Sequence, residues 1–123
     1  MNDVETVVVL GASPKPERYS NKAVRLLLEH GHRVVPVHPT IAEIEGLEVK
    51  KSLDDIEDQI DTITVYLSPA ISTPLASQML TLNPKRVIFN PGTENPELRE
   101  RLTEHGIEVE EACTLVLLNT GQF

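Results

Sequence analysis

An α/β fold, with five parallel strands between two helical layers, is predicted by three observations on this sequence. Short apolar runs rich in β-branched residues alternate with helical patterns along the chain. The first such run passes through a glycine turn directly into a helix. Two matching joints, Glu29-His30-Gly31 and Glu104-His105-Gly106, each return a helix to a strand. The arrangement expected is a Rossmann-like, doubly wound five-stranded parallel sheet in a three-layer α/β/α sandwich. Residues 1–123 are expected to form one domain, long enough to bury a core.

The elements follow in order. Val7-Val8-Val9-Leu10 is the first strand and runs into Gly11-Ala12-Ser13, a basic loop, and a helix opening near Ser20-Asn21. That helix spans Ser20 to His30 with Ala23, Leu26 and Leu27 as its apolar stripe, Val24 and Leu28 on the flanks, and Gly31 in a left-handed cap. Arg33 to Val37 is the second strand, broken by His38-Pro39. From Glu43 to Val49 a turn and a short extended piece are expected, then a brief helix near Leu53 to Glu57. Thr62 to Leu67 is the third strand, stopped by Ser68-Pro69. The next helix starts at Thr73, with Pro74 in its first position where the missing N–H costs nothing, and ends at Asn83-Pro84. Arg86 to Asn90 is the fourth strand and meets Pro91-Gly92; Asn95 then caps a helix that begins with Pro96. Ile107-Glu108-Val109 opens the fifth strand. The apolar stretch Leu115-Val116-Leu117-Leu118 either packs back on the sheet or buries a contact with a second copy or a partner protein.

The first strand-turn-helix unit makes an anion site, because unpaired N–H groups at the helix start carry partial positive charge above the sheet edge. Lys15, Arg18, Lys22 and Arg25, opposed locally by Glu17 alone, give residues 15–25 a charge of +3, while the other seven basic and eighteen acidic residues leave −11 elsewhere. A strand order of 3-2-1-4-5 is expected, with the switch point between the first and fourth strands beside Gly11 and Asn90. Ser13, His38-Pro39, Ser68-Pro69 and Asn90-Pro91-Gly92 then line one crevice. Ser13 and Ser20 are either phosphate ligands or turn and cap residues. Lys15 and Arg18 are ligands or solvated charges, and His38 is a donor or a turn residue.

Several functions are disfavoured. A net charge of −8 and only four aromatic residues argue against nucleic-acid binding. No run approaches the roughly 20 apolar residues of a membrane span, and Met1-Asn2-Asp3 does not open a secretory leader, so the expected address is the cytoplasm. The single Cys113, in an apolar setting, reads as a buried structural thiol in a reducing compartment. No His, Cys and carboxylate cluster has metal-ligand spacing. The dinucleotide fingerprint G-x-G-x-x-G fails at Ser13 and Pro16, and His38 stands where a ribose-binding acid is needed. The triphosphate pattern also fails at Pro16. NAD or another nucleotide therefore remains only as an alternative ligand. Ser13, Ser68 and His38 lack an acidic third member, which points to a binder rather than an enzyme.

Over nearly its whole length the chain resembles the small stand-alone coenzyme A-binding proteins, which are similar to the N-terminal domain of the succinyl-coenzyme A synthetase α subunit. The likeness is carried by Gly11-Ala12-Ser13, Tyr19-Ser20-Asn21, Val34-Val35-Pro36-Val37-His38-Pro39 and Glu43-Ile44-Glu45-Gly46. It continues through Ser52-Leu53-Asp54-Asp55-Ile56, Asp61, Pro69, Pro91-Gly92 and Gly106-Ile107 to Cys113. The resemblance implies that the loop from Gly11 to Asn21, with Ala12, Ser13, Lys15, Arg18, Tyr19 and Ser20, receives the pyrophosphate of coenzyme A or an acyl-coenzyme A. It implies that His38, Pro39, Pro69, Asn90, Pro91 and Gly92 hold the nucleotide and pantetheine arm. Two departures stand out: Thr40 follows His38-Pro39 where the family carries a basic residue after Asn-Pro, and Asn90-Pro91-Gly92 replaces a Gln-containing ending. The synthetase's phosphohistidine and nucleotide-grasping domains have no counterpart, so ligase activity is not implied. A fold that has lost its ligand and serves as an interaction module is the alternative from another class.

Overall fold

In a computed structural model that describes residues 4–123, the chain runs from β1 (Thr6–Leu10) through α1 (Tyr19–Glu29) to β2 (Arg33–Val37). Met1-Asn2-Asp3, on which the reading of the chain's start rests, lies outside the described residues. A small antiparallel hairpin, β3 (Glu43–Ile44) and β4 (Leu47–Glu48), turns at Glu45-Gly46, whose φ angles of 50° and 77° suit a tight two-residue connection. A 3₁₀ turn at Leu53–Asp55 stands where a brief helix was expected. After it come β5 (Thr62–Val65), α2 (Pro69–Ser72), a 3₁₀ turn (Thr73–Leu75), α3 (Ala76–Leu82), β6 (Arg86–Phe89), α4 (Pro96–Glu104), β7 (Glu108–Glu111) and α5 (Thr114–Asn119).

The main sheet has five strands, all parallel, in the order β2-β1-β5-β6-β7. Counted along the chain its main strands run 2-1-3-4-5, which corrects the expected 3-2-1-4-5. The cause lies on the outer edge of β2. Lys50 N–H donates to Pro36 O at 2.9 Å and His38 N–H to Lys50 O at 3.0 Å, so residue 50 occupies the slot expected for the third strand. On the other side of β1, Thr6 N–H donates to the Asp61 carboxylate at 2.8 Å and Asp61 N–H to Thr6 O at 3.0 Å, which fixes β5 there. That backbone donor, more than the nearby Lys85, holds the Asp61 carboxyl below its usual range.

Alternating side chains of β1 feed two cores. Val7 and Val9 pack with Val24, Leu27 and Leu118 beneath α1 and α5, while Val8 and Leu10 join Ile63, Phe89, Met79 and Leu102 beneath α3 and α4. On α1 the buried side centres on Ala23, Val24 and Leu27, leaving the expected flank residue Leu28 partly exposed. Leu117 and Leu118 spend the C-terminal apolar stretch on this packing, with Val116 54% exposed. Cys113 is half-buried just before α5.

Both Glu-His-Gly joints close in the same way. His32 N–H bonds Leu27 O and Gly31 N–H bonds Leu28 O, and Ile107 and Gly106 repeat this on Leu102 and Thr103. Asn95 Oδ1 accepts from Leu98 N–H at 3.1 Å, the expected cap of α4. The connection after β5 departs from expectation. β5 ends at Val65, the helical path begins at Pro69 rather than Thr73, and Pro74 falls in its interior, where its missing N–H breaks the path into a 3₁₀ turn. No helix among the described residues is long and apolar enough to cross a membrane.

At the opposite end of the sheet from the glycine turn, Arg86 pairs with Glu5 at 3.3 Å and Glu110 at 3.0 Å and lies 4.5 Å from the centre of the Phe123 ring. Phe123 also packs against His32, whose Nδ1 accepts from Glu5 N–H at 3.0 Å. Burial pushes the His32 pKa below 6.5, with Glu5 opposing and His30 and Arg86 reinforcing the shift. Because the folded value is the lower one, the neutral ring's contribution is complete above about pH 6.5 and is lost as pH falls through the folded value. The urea midpoint is expected to drop between about pH 7.5 and pH 5.5, and to drop less in His32→Gln; equal drops would remove His32 from that account.

Candidate functional site

The site is built where β1 ends. Gly11 takes φ +88°, and a Cβ there would stand 2.7 Å from Leu67 Cδ2 and 3.1 Å from Tyr66 O. Only glycine fits both constraints. Gly11 and Ala12 donate their N–H groups to Val37 O at 3.3 and 3.1 Å, so the chain leaves β1 hard against the ends of β2 and β5. The switch point thus lies between β1 and β5, with Tyr66 and not Asn90 beside Gly11.

Two side chains of α1 hold the following loop. Asn21, fully buried, donates to Ser13 O at 2.9 Å and to Glu45 Oε2 at 3.2 Å. Arg25 donates from Nε to Asn21 Oδ1 and from Nη2 to Pro16 O, both at 2.8 Å. Within the loop, Ser13 Oγ accepts from Lys15 N–H at 3.1 Å. The N-cap of α1 is Arg18, with no side-chain hydrogen bond, and Ser20 lies one turn position inside the helix and is buried. This corrects the reading of Ser20 as a cap and leaves the first-turn N–H groups without a side-chain acceptor.

Over the C-terminal ends of β1, β2 and β5 lies a cavity of about 970 Å³, at the upper end of the roughly 300–1,000 Å³ typical of ligand pockets. Gly11, Ala12, Ser13, Lys15, Arg18, Tyr19, Ser20, His38, Pro39, Pro91 and Gly92 line it together, so the structure brings these expected site residues to one place. Three others are not on its wall. Asn21 serves the loop as described, and Pro69 is the exposed first residue of α2. Asn90 is buried, donating to Thr64 Oγ1 at 2.7 Å and Val65 O at 2.9 Å while accepting from Thr114 N–H at 2.9 Å. It ties β6 to β5 and to the start of α5.

Of the basic window, Lys15 and Arg18 line the cavity and pair with no carboxylate among the described residues. Arg25 is spent on the loop, and Lys22 Nζ lies 5.1 Å from the Tyr19 ring centre. A third cation on the wall, Lys51, was missed, as were Ser52, Leu53, Tyr66, Leu67, Ile71, Leu75, Gln78 and Thr93. The signal for Lys51 was Lys50-Lys51, the only basic residues between Arg33 and Lys85. Ile71 was missed because the helical path was started at Thr73. Among the described residues no acidic side chain is on the wall.

His38 Nδ1 accepts from Thr40 N–H and Ile41 N–H, each at 3.1 Å, which puts the ring proton on Nε2. The turn role is therefore filled, with one donor left. Tyr66 Oη is buried without a partner, since the neighbouring Thr64 and Thr114 hydroxyls bond each other at 2.7 Å. Burial pushes the Tyr66 phenol up to about 12 against the opposing pull of those hydroxyls. Among the described residues no group of His, Cys and carboxylates is placed to hold a metal ion.

Residues 5–119 match the family described as CoA binding domain. The chain belongs to this family. It is 28% identical over 100 residues to Uncharacterized protein YneT of Bacillus subtilis (strain 168), across 81% of this chain and 74% of that one. A crystal structure of an uncharacterized protein shares 40% identity with a TM-score of 0.90, covering 99% of this chain and 100% of its own. The dinucleotide forming Acetyl-coenzyme A synthetase 1 of Ca. Korarchaeum cryptofilum, solved with phosphate and ADP, has the same fold over 88% of this chain and 25% of that one, with 23% identity and a TM-score of 0.76.

At Gly11 the left-handed φ and the 2.7 Å approach to Leu67 act together. Gly11→Ala is expected to lower unfolding free energy by about 1–3 kcal/mol in urea titration. A loss below about 0.5 kcal/mol would mean that Leu67 gives way freely.

Proposed function

We propose that the protein binds coenzyme A or an acyl-coenzyme A without transforming it, as a cytoplasmic carrier, sensor or regulatory partner. The observation that carries this reading is a cavity with Lys15, Arg18 and Lys51 on its wall and, among the described residues, no acidic one, beside a helix start lacking a side-chain cap. Coenzyme A brings a 3′-phosphate and a diphosphate, and such groups are held by backbone N–H donors and unpaired cations. In this reading the diphosphate lies over the Gly11 to Asn21 loop, and the pantetheine arm follows the strand ends past Pro39, Ser68 and Pro91. Membership of the CoA-binding domain family supports the choice of ligand.

The cytoplasm suits a chain whose single thiol, Cys113, has no partner for an intramolecular disulfide. The non-catalytic reading rests on the wall's chemistry. A nucleophile needs a neighbouring base, yet Ser13 Oγ is taken by Lys15 N–H, and His38 Nδ1 by two backbone donors. Neither polar group is paired with the other, and no wall carboxylate is present to orient them.

Calorimetric titration of coenzyme A, dephospho-coenzyme A and pantetheine tests the assignment. Lys15→Glu or Arg18→Glu is expected to weaken coenzyme A by about tenfold or more, equivalent to ~1.4 kcal/mol, and pantetheine by much less. Equal losses for all three ligands, or no loss, would sink the placement of the phosphates.

A further inference from the structure

We infer that the cavity's second half is an acyl compartment, so that the preferred ligand is a thioester carrying an unbranched aliphatic acyl chain rather than free coenzyme A. The inference rests on the coenzyme A reading above and adds the chemistry of the group at the far end of the pantetheine arm.

The cavity straddles the sheet edge and draws its walls from both helical layers. From the α1 layer come the polar residues Ser13, Lys15, Arg18 and Ser20. Lys51, Ser52 and Ser68 also stand on the wall, and from the segments that pack on the other face come Leu53, in the 3₁₀ turn after the hairpin, and Leu67, Ile71 and Leu75 around α2. These last four are purely aliphatic and offer no side-chain hydrogen-bonding group. Gln78, also on the wall, donates from its amide to Asp54 at 2.7 Å and keeps its Oε1 buried without a partner, an acceptor that repels a carboxylate. The four aliphatic side chains neither read the edge of a purine nor hold a carboxylate, since a polar group buried against them goes unpaired. The exposed aromatic ring of the wall, Tyr19 at 68% exposure, stands at the cationic end, where a base stacks without entering the aliphatic half.

Ile71 gives an independent indication. It is 55% exposed although it belongs to the cavity wall, and an aliphatic ligand would take that surface out of water. A cavity that carries both cations and four aliphatic side chains matches an amphipathic ligand: phosphates and a hydrocarbon chain joined by a polar arm.

The test is a calorimetric series with coenzyme A and its acetyl, butyryl, hexanoyl and succinyl thioesters on the full chain. Affinity is expected to rise from acetyl to hexanoyl by about three- to fourfold per methylene. Succinyl-coenzyme A is expected to bind at least about tenfold more weakly than butyryl-coenzyme A, which has the same carbon count but no carboxylate. Ile71→Ser, at an exposed position that leaves the core intact, and Leu75→Ala should flatten the series. A flat or falling series with coenzyme A still bound, or succinyl and butyryl thioesters bound equally, overturns the acyl compartment and leaves the coenzyme A reading standing. Absence of binding by coenzyme A and every thioester overturns both.

Discussion

The passage of the backbone at Gly11 between the ends of β2 and β5 is the constraint from which the rest of this site follows. Two adjacent N–H groups share Val37 O, and the space a side chain would need is filled by Leu67 and Tyr66 O. Chain direction after β1 is thereby set, and the loop must rise over the sheet edge before α1 can descend along one face. Asn21 and Arg25 then hold the raised loop from below through its own carbonyls at Ser13 and Pro16. A rigid rim results, with the first turn of α1 left open toward the cavity. The helix start keeps its first-turn N–H groups free of a side-chain cap, while Asn21 and Arg25 hold the loop before it by donating to Ser13 O and Pro16 O.

Charge in this chain acts through position more than through number. Four basic residues crowd residues 15–25, yet Arg25 is a structural strut and Lys22 lies against Tyr19. Lys51, from a different part of the sequence, joins Lys15 and Arg18 because residue 50 is bonded to the edge of β2. The same edge contact displaces the third strand to the far side of β1. One pair of hydrogen bonds therefore both occupies the outer edge of β2 and brings the third cation to the cavity.

Much of the fold was legible because its signals are local. The β-branched runs, the glycine turns at Gly31 and Gly106, and the Asn95-Pro96 helix start each act within a few residues, and each stands where expected. The glycine turn at Gly11 and the basic loop pointed to the cavity for the same reason. Strand order was not legible, because it depends on the Lys50 contact with Pro36 and His38 and on the Asp61 contact with Thr6, which join segments far apart in sequence. Pro74 misled for a subtler reason: proline opens helices and also interrupts them, and here it interrupts one that Pro69 had already opened. Ile71 on the cavity wall went unread as a consequence. Asn90 and Asn21 were read as ligand contacts because they lie at the right places in the chain, but their amides satisfy buried backbone and hydroxyl groups instead.

An acidic protein with a cation-lined cavity is not a contradiction, since the two charges act over different distances. At physiological salt, fields from the surface carboxylates are screened within about 8 Å, so they oppose the approach of extended polyanions that must lie across many of them. A single small anion inside the cavity meets a wall with three cations and no acid, in surroundings where screening is weaker. The net charge of −8 thus disfavours broad anionic surfaces, while the local arrangement suits the compact phosphorylated ligand proposed above. Selectivity of that kind needs the cations to be few, close together and free of internal partners, and it needs Arg25 and Arg86 to be tied elsewhere. The hydrogen bonds of Arg25 and the double ion pair of Arg86 with Glu5 and Glu110 meet that second condition.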